Sequence, residues 1–455
     1  MVSKINADLT IGPIPQHFRA LAIPAAIGML FNTLYNIVDV FFAGMLSTSA
    51  QAGLALGFQI HFIGLAVGVG LGAAMGGLIG NALGAGDRHR ARRLSAQGIS
   101  FGFVMALVLG VASLWYAPAL IQLVSTPGAY QDAAIRYFGV LRFALPGFMV
   151  AFACNGILQA HGDGRSMQRA LIVAFGVNVA LNPVLIFGVP GVWTGIGFDG
   201  LALSTVISQS GVMIYLIGQV LRLDTMASLR PANFLPRLNR FTDIAVQAFP
   251  SGIAFLIMIL AGFVVQFALK GFGEHAVAGF GIAIRLEQLV VLPLQGLASA
   301  LLPIAAQNYG ANNADRVREA LFYCWKVGTL VCVLAGPILW IFGRTAIEAF
   351  TDDPEVIRVG LTYLRIGSVM LVVYMLHFSI TAFLQAMKRP IWSLWISLYR
   401  QAFGVAFFIW VFVGWFGLSE IGVWFGTSTA AATGAVMAFI VAARIAREKI
   451  GGLWA

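Results

Sequence analysis

The sequence predicts an all-α integral membrane protein with twelve transmembrane helices. Of its 455 residues, 59% are hydrophobic and only 10% are charged, and the mean hydropathy is +0.87. Soluble domains carry about 25% charged residues. Apolar runs recur from residue 18 to residue 443, and each is long enough to cross a bilayer core of about 30 Å as a helix. Strands of a transmembrane barrel would alternate in polarity over about 10 residues, and these runs do not alternate.

The placement of basic residues predicts the topology. The net charge of +10 is spread over many short connections, which argues against a nucleic-acid partner. Every second connection is basic, as at 88–93, 222–240 and 444–449. The alternate connections near 45–50, 190–199 and 415–420 contain no Lys or Arg. By the positive-inside rule, we expect both termini on the cytoplasmic side of an inner (cytoplasmic) membrane.

Residue types that carry covalent chemistry are sparse. Cys154, Cys324 and Cys332 all lie in apolar segments, and an odd count without paired spacing predicts neither a disulfide framework nor a metal site. The sequence contains no catalytic triplet of a nucleophile, a base and a residue that orients the base, and no phosphate-binding loop. We therefore predict that the protein is not an enzyme. No cofactor is expected, and no removable signal peptide is predicted at the amino terminus.

The chain contains an internal repeat. Placing residue 24 over residue 250 aligns the two halves at a constant offset, so that IPAAIG matches FPSGIA and Gly84 matches Gly310. This alignment predicts an amino-terminal lobe at 1–222 and a carboxyl-terminal lobe at 241–455, joined by a cytoplasmic linker at 223–240. Six helices per half give both halves the same orientation, as a parallel pseudo-repeat. Such repeats are the architecture of secondary transporters.

An acidic residue lies within the first apolar run, in the segment LYNIVDVFFAG. A charged side chain at the centre of a bilayer costs at least about 2.5 kcal/mol, so Asp39 is a candidate functional residue. Asn32, Tyr35, Asn36 and Asp39 are spaced i, i+3, i+4 and i+7, which places them on one face of a helix. The repeat pairs Asp39 with Val265, so the acid belongs to the first half alone.

Other polar residues in the first half are candidates for the same site. Asn178 and Asn182 lie one turn apart in the fifth helix, and their amides could hold a protonated carboxyl or a cation. The alternative is interhelical hydrogen bonding, which contributes about 0.6 kcal/mol on average. Asn155 and Gln159 in the fourth helix and Thr205 in the sixth could complete a polar pocket.

The second half offers its own titratable candidates. Glu287 lies near the middle of the eighth helix, and Arg285 at i, i+2 points in another direction, so Glu287 is expected to meet His377, Arg400 or water. His61 is the counterpart of Glu287 in the first half. The alternatives are a structural ion pair for Glu287 and local packing for the histidines.

Proline at position 24 interrupts the first helix. It removes a backbone hydrogen bond and favours a kink. Pro24 is therefore a candidate hinge, with a static kink as the alternative.

The segments LAIPAAIGMLFNTLYNIVDVFFAG and LLPIAAQNYGANNADRVREA resemble the multidrug and toxic compound extrusion (MATE) transporters, and most closely their bacterial and archaeal, DinF-like branch. The resemblance covers nearly the whole chain. It implies a V-shaped fold of two six-helix lobes and export of amphipathic, often cationic, compounds in exchange for protons or sodium.

The resemblance also implies roles for individual residues. It makes Asp39 the coupling acid with Tyr35 beside it, puts the bend at Pro24, and matches Tyr137, Asn155, Asn178 and Thr205 to the lobe pocket. Many relatives of this branch carry a second aspartate where this chain has Asn182. One carboxylate favours proton coupling, with sodium as the alternative ion. We therefore expect a monomeric antiporter; the rival hypotheses are a flippase for lipid-linked oligosaccharides or other amphiphiles, an intramembrane enzyme and a passive channel.

Overall fold

The computed structural model describes residues 8–454. Twelve helices in this part are long and apolar enough to cross a membrane, which confirms the predicted number. Their bounds are Ile14–Leu46 (α1), Thr48–Gly84 (α2), Arg88–Val124 (α3), Ala129–Ala160 (α4), Arg165–Phe187 (α5), Phe198–Leu221 (α6), Leu238–Lys270 (α7), Glu274–Gly310 (α8), Ala314–Glu348 (α9), Pro354–Ala386 (α10), Pro390–Trp415 (α11) and Glu420–Ile450 (α12).

The repeat is visible in the helix bounds and in the caps. Both α2 and α8 contain 37 residues, and their first and last residues correspond at the offset read from the sequence. Asp87 caps α3 by accepting a hydrogen bond from the backbone N–H of Arg90. Its counterpart Asn313 caps α9 by accepting from the N–H of Arg316. The same capping chemistry therefore starts the third helix of each half.

The helices group into two compact units. Among the described residues, the first unit contains residue 8 and residues 27–252, and the second contains residues 9–26 and 253–454. Thus α1 passes from the second unit to the first after Ala26, and α7 passes from the first to the second after Gly252. The predicted lobes at 1–222 and 241–455 remain a prediction, and the compact units differ from them in these two segments.

Direct contacts explain why the start of α7 belongs to the first unit and the start of α1 to the second. In the first unit, a Cβ added at Gly70 would lie 2.2 Å from the carbonyl oxygen of Ala248. In the second, the backbone N–H of Leu9 donates to Oε1 of Gln307 over 2.9 Å, and a Cβ at Gly296 would lie 2.8 Å from the carbonyl oxygen of Ala22. Small residues therefore let the start of each long helix approach its neighbours closely.

Glycines also bring α2 and α4 together in the first unit. A Cβ at Gly156 would lie 2.1 Å from the carbonyl oxygen of Gly72, and one at Gly72 would lie 2.9 Å from that of Phe152. Backbone atoms cannot move aside as a flexible side chain can, so these positions require glycine. Buried Leu71, Met75 and other apolar residues continue the core on either side.

Two helices depart from regular α geometry. In α4, a 3₁₀ turn at Arg142–Ala144 separates two α-helical segments. In α11, π-helical turns occur at Tyr399–Phe403 and Trp410–Trp415. Such π turns are rare in proteins, and those that occur are often found at functional sites, because they redirect the side chains around them.

Candidate functional site

A buried polar cluster surrounds Asp39 in the first unit. Asp39 is 3% exposed, and Asn178 and Asn182 are fully buried. The Nδ2 groups of Asn178 and Asn182 donate to Oδ1 of Asp39 over 3.1 and 3.0 Å. The hydroxyl of Thr205 donates to Oδ2 over 3.3 Å. Residues from α1, α5 and α6 thus converge on one carboxyl group.

The two asparagines are themselves held in place. Nδ2 of Asn182 also donates to Oδ1 of Asn178 over 3.1 Å. Ser204 donates to Oδ1 of Asn182 through a short hydrogen bond and accepts from Nδ2 of Asn178 over 3.3 Å. Each amide therefore uses both its donor and its acceptor, and the orientation of both side chains is fixed by the network.

All donors to Asp39 are electrically neutral. In the described part of the chain, no Lys, Arg or His forms an ion pair with this carboxyl. In all three hydrogen bonds the carboxyl oxygens of Asp39 are the acceptors, which is the pattern that an ionised carboxylate requires. A proton on Oδ1 of Asp39 would need an acceptor where the amides now present N–H groups, and a proton on Oδ2 would need the Thr205 hydroxyl to turn from donor to acceptor. A change of protonation must therefore rearrange this network.

Three further hydroxyl groups lie at the edge of this cluster. The Tyr35 hydroxyl lies beside Thr205, Ser208 and Asn178. The hydroxyls of Tyr35, Tyr137 and Ser208 are buried, and none has a hydrogen-bond partner among the described residues. The Tyr137 ring packs against Phe198 in a tilted arrangement, with the ring centroids 5.5 Å apart. These unpaired hydroxyls give the cluster room for altered hydrogen bonding.

The structure brings together only part of the polar stripe on α1. Tyr35 and Asp39, one turn apart, are buried at the cluster. Asn32 is exposed, and Asn36 is partly exposed and donates to the carbonyl oxygen of Asn32 over 2.8 Å. Because the stripe is wider than the contact with α5 and α6, two of its four members lie outside the cluster.

The predicted pocket residues of α4 also lie outside these hydrogen bonds. The side-chain amide Nε2 of Gln159 donates to Oδ1 of Asn155 over 3.4 Å. Gln159 is buried and Asn155 is partly exposed. The pair follows the i, i+4 spacing seen in the sequence, but it is not joined to Asp39. Its role as a substrate contact stays a prediction.

The second unit contains a separate group around Glu287. The hydroxyl of Tyr363 donates to Oε2 of Glu287 over 2.7 Å, whereas Oε1 is buried without a partner among the described residues. Neither expected partner, His377 or Arg400, forms a hydrogen bond or an ion pair with Glu287 in the described chain. Arg285 is exposed, consistent with its i, i+2 spacing.

The remaining candidates lie in mainly apolar surroundings. His61 is fully buried, its ring centroid lies 4.7 Å from that of Phe148, and neither ring nitrogen has a partner within residues 8–454. His377 is 5% exposed and packs near Phe378. Pro24 lies inside α1, just before the point where that helix changes compact unit.

Sequence reasoning missed Ser204 and Tyr363. Ser204 was detectable, because it lies next to the predicted Thr205 and one turn before Ser208 within a transmembrane segment. Tyr363 carried no such signal. Its contact with Glu287 depends on how α8 and α10 are rotated against each other, and a single sequence does not contain that angle.

A multi-pass membrane protein with a duplicated half and a buried acid inside one span has the architecture of a secondary transporter. The MatE family model matches residues 24–184 and 250–410, one match in each half and together more than half of the chain. The chain belongs to the MatE family, whose members are transporters and not enzymes.

Individual relatives are distant in sequence and similar in fold. The multidrug export protein MepA of Staphylococcus aureus (strain MSSA476) is 23% identical over 377 residues, which cover 82% of each chain. A MOP superfamily transporter from Pyrococcus furiosus matches with a TM-score of 0.89 at 24% identity, over 98% of this chain and 99% of that one. A MATE structure in the bent conformation also gives 0.89 at 24% identity, over 100% and 98%.

Proposed function

We propose that this protein is a secondary active exporter of amphipathic, often cationic, compounds, and that it exchanges them for protons through Asp39. Membership in the MatE family supports the transport of small molecules, and the name of the MepA relatives supports multidrug export. The observation that carries the coupling proposal is the hydrogen bonding of Asp39 by neutral donors alone.

Protonation would couple to packing through the asparagines. The ionised carboxylate accepts from Asn178, Asn182 and Thr205. The neutral acid presents an O–H donor, which requires either an amide oxygen in place of an amide N–H at Oδ1 or a Thr205 hydroxyl that accepts at Oδ2. Reorienting either amide breaks its bond to Ser204 or to the other asparagine. The two protonation states thus favour different packing of α1 against α5 and α6, and a proton shifts the equilibrium by its differential affinity for them.

The number of charges favours a proton over sodium. The cluster contains a single carboxylate, and its other polar groups are amides and hydroxyls. A sodium ion would have to displace Nδ2 groups that now face Asp39. Proton transfer needs only a reorientation of amide or hydroxyl groups, so protons are our proposed coupling ion. This arrangement also favours the DinF-like branch, in which the acid lies in the first helix.

We further propose a monomer in the cytoplasmic membrane with both termini in the cytoplasm. The orientation is supported by the concentration of Lys and Arg on every second connection, including the linker between α6 and α7. A tag accessible to a membrane-impermeant reagent from only the cytoplasmic side of vesicles would test the orientation at each terminus.

Transport in proteoliposomes tests the coupling. Efflux of the amphipathic cation ethidium is measured with an imposed proton gradient alone and with a sodium gradient alone. We expect the proton gradient to drive transport, Asp39→Asn to abolish it, and Asp132→Asn, which changes an exposed acid of α4, to leave it unchanged. Wild-type rates in Asp39→Asn would disprove the role of Asp39. Transport driven by the sodium gradient alone would show that sodium, and not the proton, is the coupling ion.

A further inference from the structure

The Arg400 guanidinium in the second unit has no hydrogen-bond acceptor among the described residues. Its Cζ lies 5.4 Å from the ring centroid of Tyr374, in a cation–π contact. No hydrogen bond or ion pair joins it to another described residue. A guanidinium carries five N–H donors, and a cation–π contact uses the charge of the group but none of those donors. Arg400 therefore keeps its full capacity to bind an oxyanion.

Arg400 also lies deep within its span. It is the tenth residue after Pro390, the first residue of α11, which corresponds to about 15 Å of helix, or half of a bilayer core of about 30 Å. A phospholipid headgroup stays at the membrane surface and does not reach this depth. A charged side chain here indicates a functional site and requires a named partner.

Glu287 does not supply that partner. It lies close enough to interact electrostatically with Arg400, but it forms no ion pair with it. Its Oε2 is held by Tyr363, and its Oε1 lies against Gly367, where an added Cβ would be 2.6 Å away. The acid is thus directed toward α10, and the guanidinium remains free to bind another group.

The surrounding backbone accommodates this position of Arg400. It lies within the π-helical turn Tyr399–Phe403, which changes the direction of side chains along α11. Opposite it on α12, a Cβ at Gly434 would lie 2.9 Å from Cβ and 3.0 Å from Cγ of Arg400. The glycine therefore makes room for the arginine stem. Two irregular features, one on each helix, place the same side chain.

We propose that Arg400 binds the carboxylate, or another planar oxyanion, of an amphipathic aromatic compound. A carboxylate can accept two parallel hydrogen bonds from a guanidinium, and an aromatic body can pack beside the Tyr374 ring. This inference rests on the proposed export function, since it defines one class of exported compound. It adds compounds that carry an anionic group to the cationic ones expected from the family.

A matched pair of probes tests the site. Binding of 2-naphthoate and of its neutral analogue 2-naphthamide is measured to the full protein in nanodiscs by calorimetry. We expect the wild type to prefer the naphthoate by roughly tenfold or more, as for hydrogen bonds to a charged group. Arg400→Gln should reduce the preference to about one while leaving naphthamide binding unchanged, and Arg400→Lys should retain part of it.

Controls distinguish this site from general charge effects and from the export proposal. Arg365 also lies over an aromatic ring, that of Trp340 at 5.3 Å, but is exposed; Arg365→Gln should keep the preference. Asp39→Asn should keep it too while losing proton-driven transport. An equal loss of both probes in Arg400→Gln, or no preference in the wild type, would overturn the anion site. A loss of transport with an unchanged preference for naphthoate would concern the proposed export function and not the anion site.

Discussion

The side-chain amide of Asn182 donates to Oδ1 of Asp39 over 3.0 Å, across the contact between α5 and α1. This bond places an amide where a second acid would lie within hydrogen-bonding distance of the first. Two carboxylates at this distance cannot both be ionised without a cation between them. The identity of residue 182 therefore determines how many charges the cluster can hold.

Asn182→Asp is expected to change the ion preference. A second carboxylate supplies two more oxygen ligands and a second negative charge, which favours a sodium ion. We expect transport driven by a sodium gradient alone to appear in this variant, measured as ethidium efflux from proteoliposomes. Asn239→Asp is the control, because Asn239 is exposed at the start of α7, outside the cluster and the predicted pocket. An unchanged ion preference in Asn182→Asp would contradict the argument from charge number.

Thr205→Val is expected to slow proton-driven transport. The substitution preserves the shape of the side chain and removes the only donor to Oδ2 of Asp39 among the described residues. A hydrogen bond to a charged group contributes about 1.5 kcal/mol or more, so release of the proton from Asp39 should become roughly tenfold less favourable. Thr205→Ser, which keeps the hydroxyl, should restore the rate. Equal rates in the Val and Ser variants would show that this bond is not involved.

Tyr363→Phe is expected to destabilise the second unit. It leaves both oxygens of buried Glu287 without a donor within residues 8–454, at a cost of about 1 to 3 kcal/mol. Thermal unfolding in detergent measures the loss. In the background of Glu287→Leu the same substitution should have little effect, because no carboxylate remains to be satisfied. Additive losses in the double variant would mean that the two side chains act independently.

Gly156→Ala is expected to disrupt the contact between α4 and α2. The new methyl group would lie 2.1 Å from the carbonyl oxygen of Gly72, so the two helices must separate. Overpacking typically costs about 1 to 3 kcal/mol, and the unfolding temperature should fall. Gly110→Ala on α3 is the matched control, since nothing lies within 4 Å of its added Cβ. The control should be as stable as the wild type or more so, because alanine favours helix.

The start of α10 is expected to loosen in acid. The backbone N–H groups of Val356 and Glu355, together with the nearby His275 side chain, hold the pKa of the Asp353 carboxyl below its ordinary value. A carboxyl with a lowered pKa stabilises the fold above its unfolded pKa, near 3.9, and loses that contribution as the pH falls through the folded value. Amide hydrogen exchange at Glu355 and Val356 should therefore accelerate, relative to the intrinsic rate, below about pH 4.

Asp353→Asn provides the matched control for this pH effect. An asparagine at the N-cap keeps an oxygen acceptor for the same two N–H groups, but it does not titrate. Protection at the two amides should then be independent of pH. If the acid dependence survives in the asparagine variant, it arises from another group, such as the nearby Glu355.

The sequence predicted the architecture and the centre of the cluster. Helix number follows from hydropathy, and the repeat follows from internal similarity, since both are properties of the chain itself. Asp39, Asn178, Asn182 and Thr205 could be predicted because polar residues are conspicuous inside apolar spans.

The rotation of each helix about its axis could not be predicted. A polar stripe marks a helix face, but only tertiary packing decides which part of that face is covered. Tyr35 is therefore buried, whereas Asn32 on the same stripe is exposed. For the same reason the sequence did not predict the hydrogen bond between Tyr363 and Glu287, and we expected His377 or Arg400 as the partner of Glu287 instead.

The two places at which a long helix changes compact unit, after Ala26 and after Gly252, are themselves related by the repeat. The segment that was duplicated in the gene is therefore not the segment that packs as one body. A chimera that joined two homologous transporters at the linker between α6 and α7 would give each unit one foreign helix segment. A junction just after Gly252 keeps the first unit intact, but the second unit then still carries a foreign segment at residues 9–26. Recombination at this point should therefore be tolerated better than recombination within the linker, provided that residues 9–26 are exchanged together with the second unit.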